Sequence, residues 1–260
     1  MRDELPPQPV DLAPPPELAT RIDAFWQHGG RGAELRVLPD GCMDFWFDLE
    51  TGQARLIGAM TTAAVVAVPA RGRYFGVRFR PGAAAEYVAD AVRDFLDGDA
   101  PLGDVTRARR SALGERVAEA TNHAARVALI ADFLLAPSSR VRAPDHRVRR
   151  AVRLIQRDRA GAKVRAVAAE LGLSERQLER LFDERLGYGP KQFARIMRFE
   201  RAVALLDAPL RGQAALAATA GYADEPHLIR EFRALAGATP VELARERRVG
   251  FVQAGDGPQR

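Results

Sequence analysis

The chain has 260 residues, enough for two domains that each bury a core. Its net charge of +5 is unevenly spread: residues 1–140 hold 16 Lys+Arg against 19 Asp+Glu, and residues 141–260 hold 23 against 15. A polyanionic partner is therefore expected for the C-terminal half, although a solvated basic surface fits the same count. The one cysteine, Cys42, excludes an intramolecular disulfide and a multi-cysteine zinc site. No apolar run approaches the ~18 residues of a membrane span. The start, MRDELPPQPVDLAPPPE, has acidic residues and prolines where a signal peptide needs an apolar core. These features predict a cytoplasmic protein with no membrane partner, no metal and no cofactor.

Six of the 17 prolines precede residue 17, so residues 1–17 are expected to form an extended, mobile arm. Leu18–Trp26 reads as a short helix packing Ile22, Phe25 and Trp26. From Glu34 to Arg80 the pattern changes to short apolar runs separated by glycines: Leu35–Leu38, Met43–Leu49, Leu56–Met60, Ala63–Val68 and Tyr74–Phe79. Five strands at this spacing predict a small antiparallel sheet or partial barrel. Its aromatic cluster of Phe45, Trp46, Phe47, Tyr74, Phe75 and Phe79 fits either a pocket lining or a filled core. After Pro81-Gly82 the spacing becomes helical over Ala83–Ala91, Thr106–Ala120 and His123–Leu135.

Two segments here, Leu38-Pro-Asp-Gly-Cys-Met-Asp-Phe45 and Phe75-Gly-Val-Arg-Phe-Arg-Pro-Gly82, resemble the N-terminal domain of an uncharacterised group of bacterial regulators. The resemblance spans roughly residues 30–135 and implies a sensor-like module of unknown ligand. Cys42, with reactive chemistry, and Trp46 are its candidates for a ligand or redox role. A buried, inert thiol is the plainer reading of a lone cysteine.

Residues 137–145, turn-rich and basic, read as a linker between a sensor or dimerisation domain at 18–136 and a DNA-binding domain at 146–248. Residues 249–260 read as a loose tail. His146–Arg157 is an entry helix, apolar at Val148, Ala151, Val152 and Ile155. Val164, Val167, Ala168 and Leu171 follow i, i+3, i+4, i+7 up to Gly172. Ser174 with Gln177 three residues on is a capping box that opens the next helix. Leu178, Leu181, Phe182 and Leu186 are its buried stripe, leaving Arg176, Gln177, Glu179 and Arg180 outward. Two short helices joined by a tight turn meet the requirements of a helix-turn-helix. Arginine can pair bidentately with guanine and glutamine with adenine, while Ser174 and the free N–H groups beside it suit a phosphate. An ordinary solvated face with Glu/Arg pairs fits the same residues.

The pattern then recurs. Leu178, Arg180, Phe182, Gly187 and Pro190 reappear as Leu228, Arg230, Phe232, Gly237 and Pro240, at an offset of 50 throughout. Such a repeat indicates one supersecondary unit built twice. Pro190–Leu206 is the long helix between the copies. In the second unit Asp224 caps a helix whose outward residues are Pro226, His227 and Arg230.

Ala168-Ala-Glu-Leu-Gly-Leu-Ser174, the two Leu-x-Arg-x-Phe runs, Gly187-x-x-Pro190, Arg198-x-x-Arg201-Ala202, Gly221-Tyr-Ala-Asp-Glu225 and Gly237-x-Thr-Pro240 together resemble the paired helix-turn-helix domain of the AraC/XylS family of transcription regulators. The resemblance covers about the last 40% of the chain. It implies an all-α domain of seven helices, which with the N-terminal small antiparallel sheet or partial barrel and helices read from the residue pattern makes the expected fold α+β. It also implies recognition helices at Ser174–Leu186 and Asp224–Ala236 that enter successive major-groove segments of double-stranded DNA. The family's base-contacting positions fall on Arg176, Gln177, Glu179 and Arg180 and on Glu225, Pro226, His227 and Arg230. The carboxylate of Glu225 and the ring of Pro226 make the second helix the poorer reader. A small-molecule effector, RNA polymerase and a second copy of the chain in a homodimer stay open as further partners.

Two other functions are weaker fits. A DNA-repair alkyl-acceptor fused to the same domain needs a cysteine zinc set; Cys42 stands alone, and His28, His123, His146 and His227 are not spaced as ligands. A nonspecific architectural DNA binder would show steep salt dependence without sequence preference.

Overall fold

The structure, a computed structural model, describes residues 5, 10–30, 32–107, 112–158, 163–208, 212–248 and 252–253. The fold is α+β, as expected, with mainly antiparallel sheets and a few helices in the N-terminal half and a helical C-terminal half. The strands are β1 (Val10–Leu12), β2 (Ile22–Gly29), β3 (Ala33–Val37), β4 (Met43–Asp48), β5 (Ala54–Ile57), β6 (Ala64–Val68), β7 (Arg73–Phe79), β8 (Asp99–Pro101) and β9 (Val252–Gln253). One sheet runs β1-β2-β7-β4-β5-β8, the other β6-β3-β9. Helices α1 (Leu102–Val105), α2 (Leu113–Glu119) and α3 (His123–Leu135) close the N-terminal half.

Alternation along the larger sheet gives its two faces opposite chemistry. Phe45 and Phe47 on β4 and Phe75, Val77 and Phe79 on β7 are fully buried on one face. Asp44 and Trp46 on β4 and Tyr74, Gly76 and Arg78 on β7 point to the other, towards the smaller sheet. The aromatic cluster is thus divided: Phe45, Phe47, Phe75 and Phe79 are core, whereas Trp46 and Tyr74 line a cavity. Gly76 has to be glycine, because a Cβ there would lie 2.0 Å from the Trp26 ring that crosses it.

Three expected helices differ. The chain over Leu18–Trp26 makes one turn and then enters β2, since both faces of the strand are buried and a bulge between Ile22 and Ala24 shifts the register. That bulge produces the helix-like spacing of Ile22, Phe25 and Trp26. Ala83–Ala91 forms only a 3-10 turn at Ala84–Glu86, because neighbouring backbone groups find distant partners: Ala89 N–H donates to Val105, and the Glu86 carbonyl accepts from Val141 and Arg142. Within Thr106–Ala120 the helical part is α2, and residues 108–111 lie outside the described residues. Of the arm, Val10–Leu12 is extended and paired to β2, with residues 1–4 and 6–9 outside the description. Of the tail, Val252–Gln253 pairs in parallel with Arg36–Val37, and residues 249–251 and 254–260 lie outside the description.

The C-terminal half has seven helices among the described residues: α4 (His146–Arg157), α5 (Val164–Glu170), α6 (Glu175–Leu186), α7 (Pro190–Ala204), α8 (Gly212–Ala220), α9 (Glu225–Ala236) and α10 (Pro240–Arg248). α7 is the spine of this half. Its first turns supply Phe193, Ile196 and Met197 to a core that runs on into the six-stranded sheet. Its later turns supply Phe199, Ala202 and Val203 to a second core around Phe232, which also takes Leu38 from the β3–β4 connection.

Candidate nucleic-acid interface and ligand cavity

Both repeats build their outward helix in the same way. Ser174 Oγ accepts from the Gln177 N–H at 3.2 Å, and Gln177 Oε1 accepts from the Ser174 N–H at 2.8 Å. Asp224 Oδ1 accepts from the His227 N–H at 2.7 Å. These bonds satisfy donors that a helix start otherwise leaves open. Leu178, Phe182, Leu228 and Phe232 are fully buried, which fixes the rotation of α6 and α9.

That rotation exposes Ser174, Arg176, Gln177 and Arg180 on α6 and its cap, and Pro226 and Arg230 on α9; Glu179, Glu225 and His227 are half-buried. Arg180 is 75% exposed and lies 3.7 Å from Glu184, a pairing weak enough to yield to a better acceptor. Two side chains are already engaged. The Gln177 carbonyl oxygen serves the capping box, so bidentate pairing with adenine would require its release. The His227 ring stands edge-on to Tyr222, at 5.2 Å, and accepts from the Ala223 N–H at 3.4 Å. Glu179 leans over Gly189, where a Cβ would meet its carboxylate at 2.4 Å.

The opposite ends of α6 and α9 are held by the N-terminal half. Arg93 pairs with Asp183 at 3.1 Å and Arg149 with the buried Glu86 at 2.7 Å, fastening the first unit. Arg36 donates to the Ala236 carbonyl at 2.8 Å and pairs with Glu246 at 2.7 Å. The Ala63 N–H donates to the Leu235 carbonyl at 2.7 Å. Carbonyls at the end of α9 are thereby satisfied by Arg36 of β3 and by Ala63 just before β6.

Between the two sheets lies a cavity of about 330 Å³. Trp26, His28, Trp46 and Tyr74 form one wall, and Leu35, Val37, Val66 and Val68 face them. The Trp26 indole N–H donates to Asp44 at 2.8 Å. Arg78, 4% exposed, pairs with Asp11 at 2.9 Å and Asp40 at 3.5 Å. Burial raises the Asp44 carboxyl to about 7, with Arg78 opposing the shift and Asp40 adding to it. Cys42 and Trp46, the residues singled out in the sequence, both line this cavity. Burial, reinforced by Asp40 and Asp23, pushes the Cys42 thiol well above its ordinary range, so it is a protonated wall residue rather than a nucleophile. Tyr74, of the aromatic cluster for which a pocket lining stayed open, also lines it, whereas Trp26, His28, Asp44 and Arg78 were missed, because only the strand register brings them together. Among the described residues, no cluster of His, Cys, Asp or Glu could hold a metal ion, and no helix is long and apolar enough to cross a membrane.

Seven helices arranged as two capped helix-turn-helix units about one spine define a paired helix-turn-helix domain. Residues 167–246 match the family described as a helix-turn-helix domain, and residues 10–101 match a domain of unknown function. The C-terminal region therefore carries a helix-turn-helix domain. A transcriptional regulator with an AraC-type DNA-binding domain from Chromobacterium violaceum is similar, with 28% identity over 39% of this chain and 91% of its own and a TM-score of 0.37. A probable AraC family regulator from Rhodopseudomonas palustris shows 26% identity over 39% and 97%, with a TM-score of 0.36. ToxT from Vibrio cholerae shows 11% identity over 86% and 95%, with a TM-score of 0.43. Comparison with curated proteins found no match.

Proposed function

We propose that this chain is a sequence-specific transcription regulator that lays α6 and α9 into successive major-groove segments of double-stranded DNA, about one helical turn or ~34 Å apart. The observation that carries the reading is the orientation of the two helices. Their capped N-terminal ends bear the exposed Arg176, Gln177, Arg180 and Arg230, while their C-terminal ends are docked on the N-terminal half. Base reading falls mainly to Arg176 and Arg180 of α6. Ser174 offers a phosphate contact, and α9 contributes Arg230 with fewer groups suited to base edges.

Control through the N-terminal half has a physical route. Leu38, Asp40 and Cys42 line the cavity. Leu38 also belongs to the second-unit core, and Gly41 lies against Phe193 and Met197 of α7. An effector that displaces this connection acts directly on the spine joining the two reading helices. Residues 18–136 are the sensing part in this reading, 137–145 the linker and 146–248 the DNA-binding part. Homodimer formation is the alternative input. It is favoured by the open edge of β6, where Val65 and Val66 are 47% and 40% exposed. RNA polymerase is the partner through which bound DNA would be read out.

The test is selection of duplexes from a random pool by the full chain, followed by competition binding. A selected site should bind about 10³-fold or more tighter than random duplex. Equal affinity for both, with a steep salt dependence, would identify a nonspecific architectural binder instead.

A further inference from the structure

We propose that the cavity between the two sheets binds a small organic ammonium ion, with Trp26, Trp46 and Tyr74 supplying aromatic faces and Asp44 the opposing charge. The inference rests on reading this cavity as the effector site, and it names the chemistry of the effector.

The charges around the cavity decide the sign of its ligand. Arg55 and Arg78 are the arginines in its lining. Arg55 is ion-paired with Asp99, and Arg78 is held between Asp11 and Asp40. An incoming anion would therefore compete with carboxylates already in place, at the cost of leaving them uncompensated and part-buried. Asp44 stands opposite Arg78 in the β4–β7 pairing and shares that guanidinium with Asp40, and its hydrogen bond among the described residues comes from a neutral donor, the Trp26 indole. Asp40 and Asp44 in the lining thus share a single guanidinium, which leaves an excess of negative charge on this side. Burial already drives Asp44 towards its protonated form, and a ligand cation would reverse that by compensating the carboxylate.

The aromatic geometry agrees. Trp46 stacks on Tyr74 with ring centroids 5.4 Å apart, His28 lies 5.0 Å from Tyr74, and Trp26 lies 5.7 Å from His28. These rings form a continuous π surface on β2, β7 and β4 beside Asp44. Aromatic faces next to a carboxylate attract a poorly hydrated ammonium head, most strongly when water is excluded. Leu35, Val37 and Val68 across the gap suit an apolar stem. A neutral ligand would fill the volume without compensating Asp44.

The experiment titrates the full chain, without DNA, with phenethylamine, 2-phenylethanol, phenylacetate and tetramethylammonium, reading tryptophan fluorescence and calorimetric heat at pH 8. Phenethylamine is expected to bind at least about ten-fold tighter than the alcohol or the carboxylate of matching shape. Asp44→Asn, which keeps an acceptor for Trp26, is expected to remove that preference while the melting temperature confirms folding. Equal binding of 2-phenylethanol, tighter binding of phenylacetate, or no binding of either cation at millimolar concentration would overturn the proposal. Binding of an ammonium ion without any change in DNA affinity would leave the assignment intact and remove the effector reading. Binding of only the neutral or anionic probe would do the reverse.

Discussion

Arg36 and Glu246, 210 positions apart in the chain, share a two-bond ion pair of 2.7 and 3.2 Å, while a third N–H of the same guanidinium caps the Ala236 carbonyl at 2.8 Å. One side chain of the smaller sheet thus fastens the end of α9 to α10. Charged donors at helix carbonyls stabilise that end. Arg36→Ala should lower stability by about 1–2 kcal/mol, the usual scale for a charged hydrogen bond in a part-buried place. A double-mutant cycle with Glu246→Ala, followed by urea unfolding, should return a coupling of about 0.5 kcal/mol or more. Additive effects would mean that the pair contributes nothing to docking.

Arg180 is exposed on α6, one turn beyond Arg176, and lies 3.7 Å from Glu184. Arg180→Ala should weaken binding to the selected duplex by about 1–3 kcal/mol and relax preference at one base pair. Arg230→Ala on α9 should cost less discrimination. A uniform loss over all duplexes would make Arg180 a phosphate contact, visible as a shallower salt slope.

Phe182 and Phe232 occupy equivalent repeat positions but different cores. Phe182 belongs to the core that continues into the six-stranded sheet, and Phe232 to the smaller one shared with Leu38. Each is fully buried, so alanine should cost about 3–5 kcal/mol. Hydrogen exchange should separate them. Phe232→Ala should open α8, α9 and α10 with little effect on the sheet, whereas Phe182→Ala should loosen both halves. Identical exchange maps would show that the two cores are one cooperative unit.

This asymmetry marks the limit of what the amino-acid pattern discloses. The repeat was legible because Leu178, Phe182, Leu228 and Phe232 are local: their spacing is helical, and the caps Ser174 and Asp224 precede them. Placing Leu38 in the second core, or Arg36 on α9, depends on contacts between distant segments that no local period encodes. The cavity was hidden for a related reason. Phe45 and Trp46 are neighbours of similar hydrophobicity, and only the pairing of β4 with β7 decides which one faces the core. On β2 the bulge at Ile22 imitates a helical period, so Trp26 and His28 were assigned to a helix or passed over.

Buried carboxylates give stability a definite pH dependence. Burial raises Asp44 from an ordinary value of 3.8 to about 7 and Glu200 from 4.5 to about 8. Asp44 faces Arg78 on β7, Asp40 on the β3–β4 connection, Asp11 on β1 and the Trp26 indole; Glu200 faces Asp40, Asp23, Arg78 and its neighbour Arg201. Between about pH 4 and pH 8 the folded state keeps protons that the unfolded chain has released. Stability from these two groups is therefore highest at the acid end and falls as pH rises through their folded values. Urea midpoints measured from pH 5 to pH 9 should show this slope, and Glu200→Gln should flatten its upper part and stabilise the protein above pH 8. A midpoint that rises with pH in that window, for wild type and variant alike, would contradict the assignment.

Gly41 is the position at which cavity and spine meet. Its φ of +78° is a left-handed conformation, and a Cβ there would sit 2.9 Å from a ring carbon of Phe193 and 3.3 Å from the Met197 methyl. Alanine would add the left-handed penalty of about 1–2 kcal/mol and press on α7. α7 carries Phe193 and Met197 in one core and Phe199 in the other, so displacement at its first turns changes how α6 and α9 are spaced. Gly41→Ala should lower the melting temperature and reduce affinity for the selected duplex, while leaving probe binding in the cavity within about two-fold, since the aromatic wall and Asp44 are on other elements. Loss of probe binding with intact DNA affinity would place the coupling elsewhere, because the β3–β4 connection would then shape the cavity without bearing on the spine.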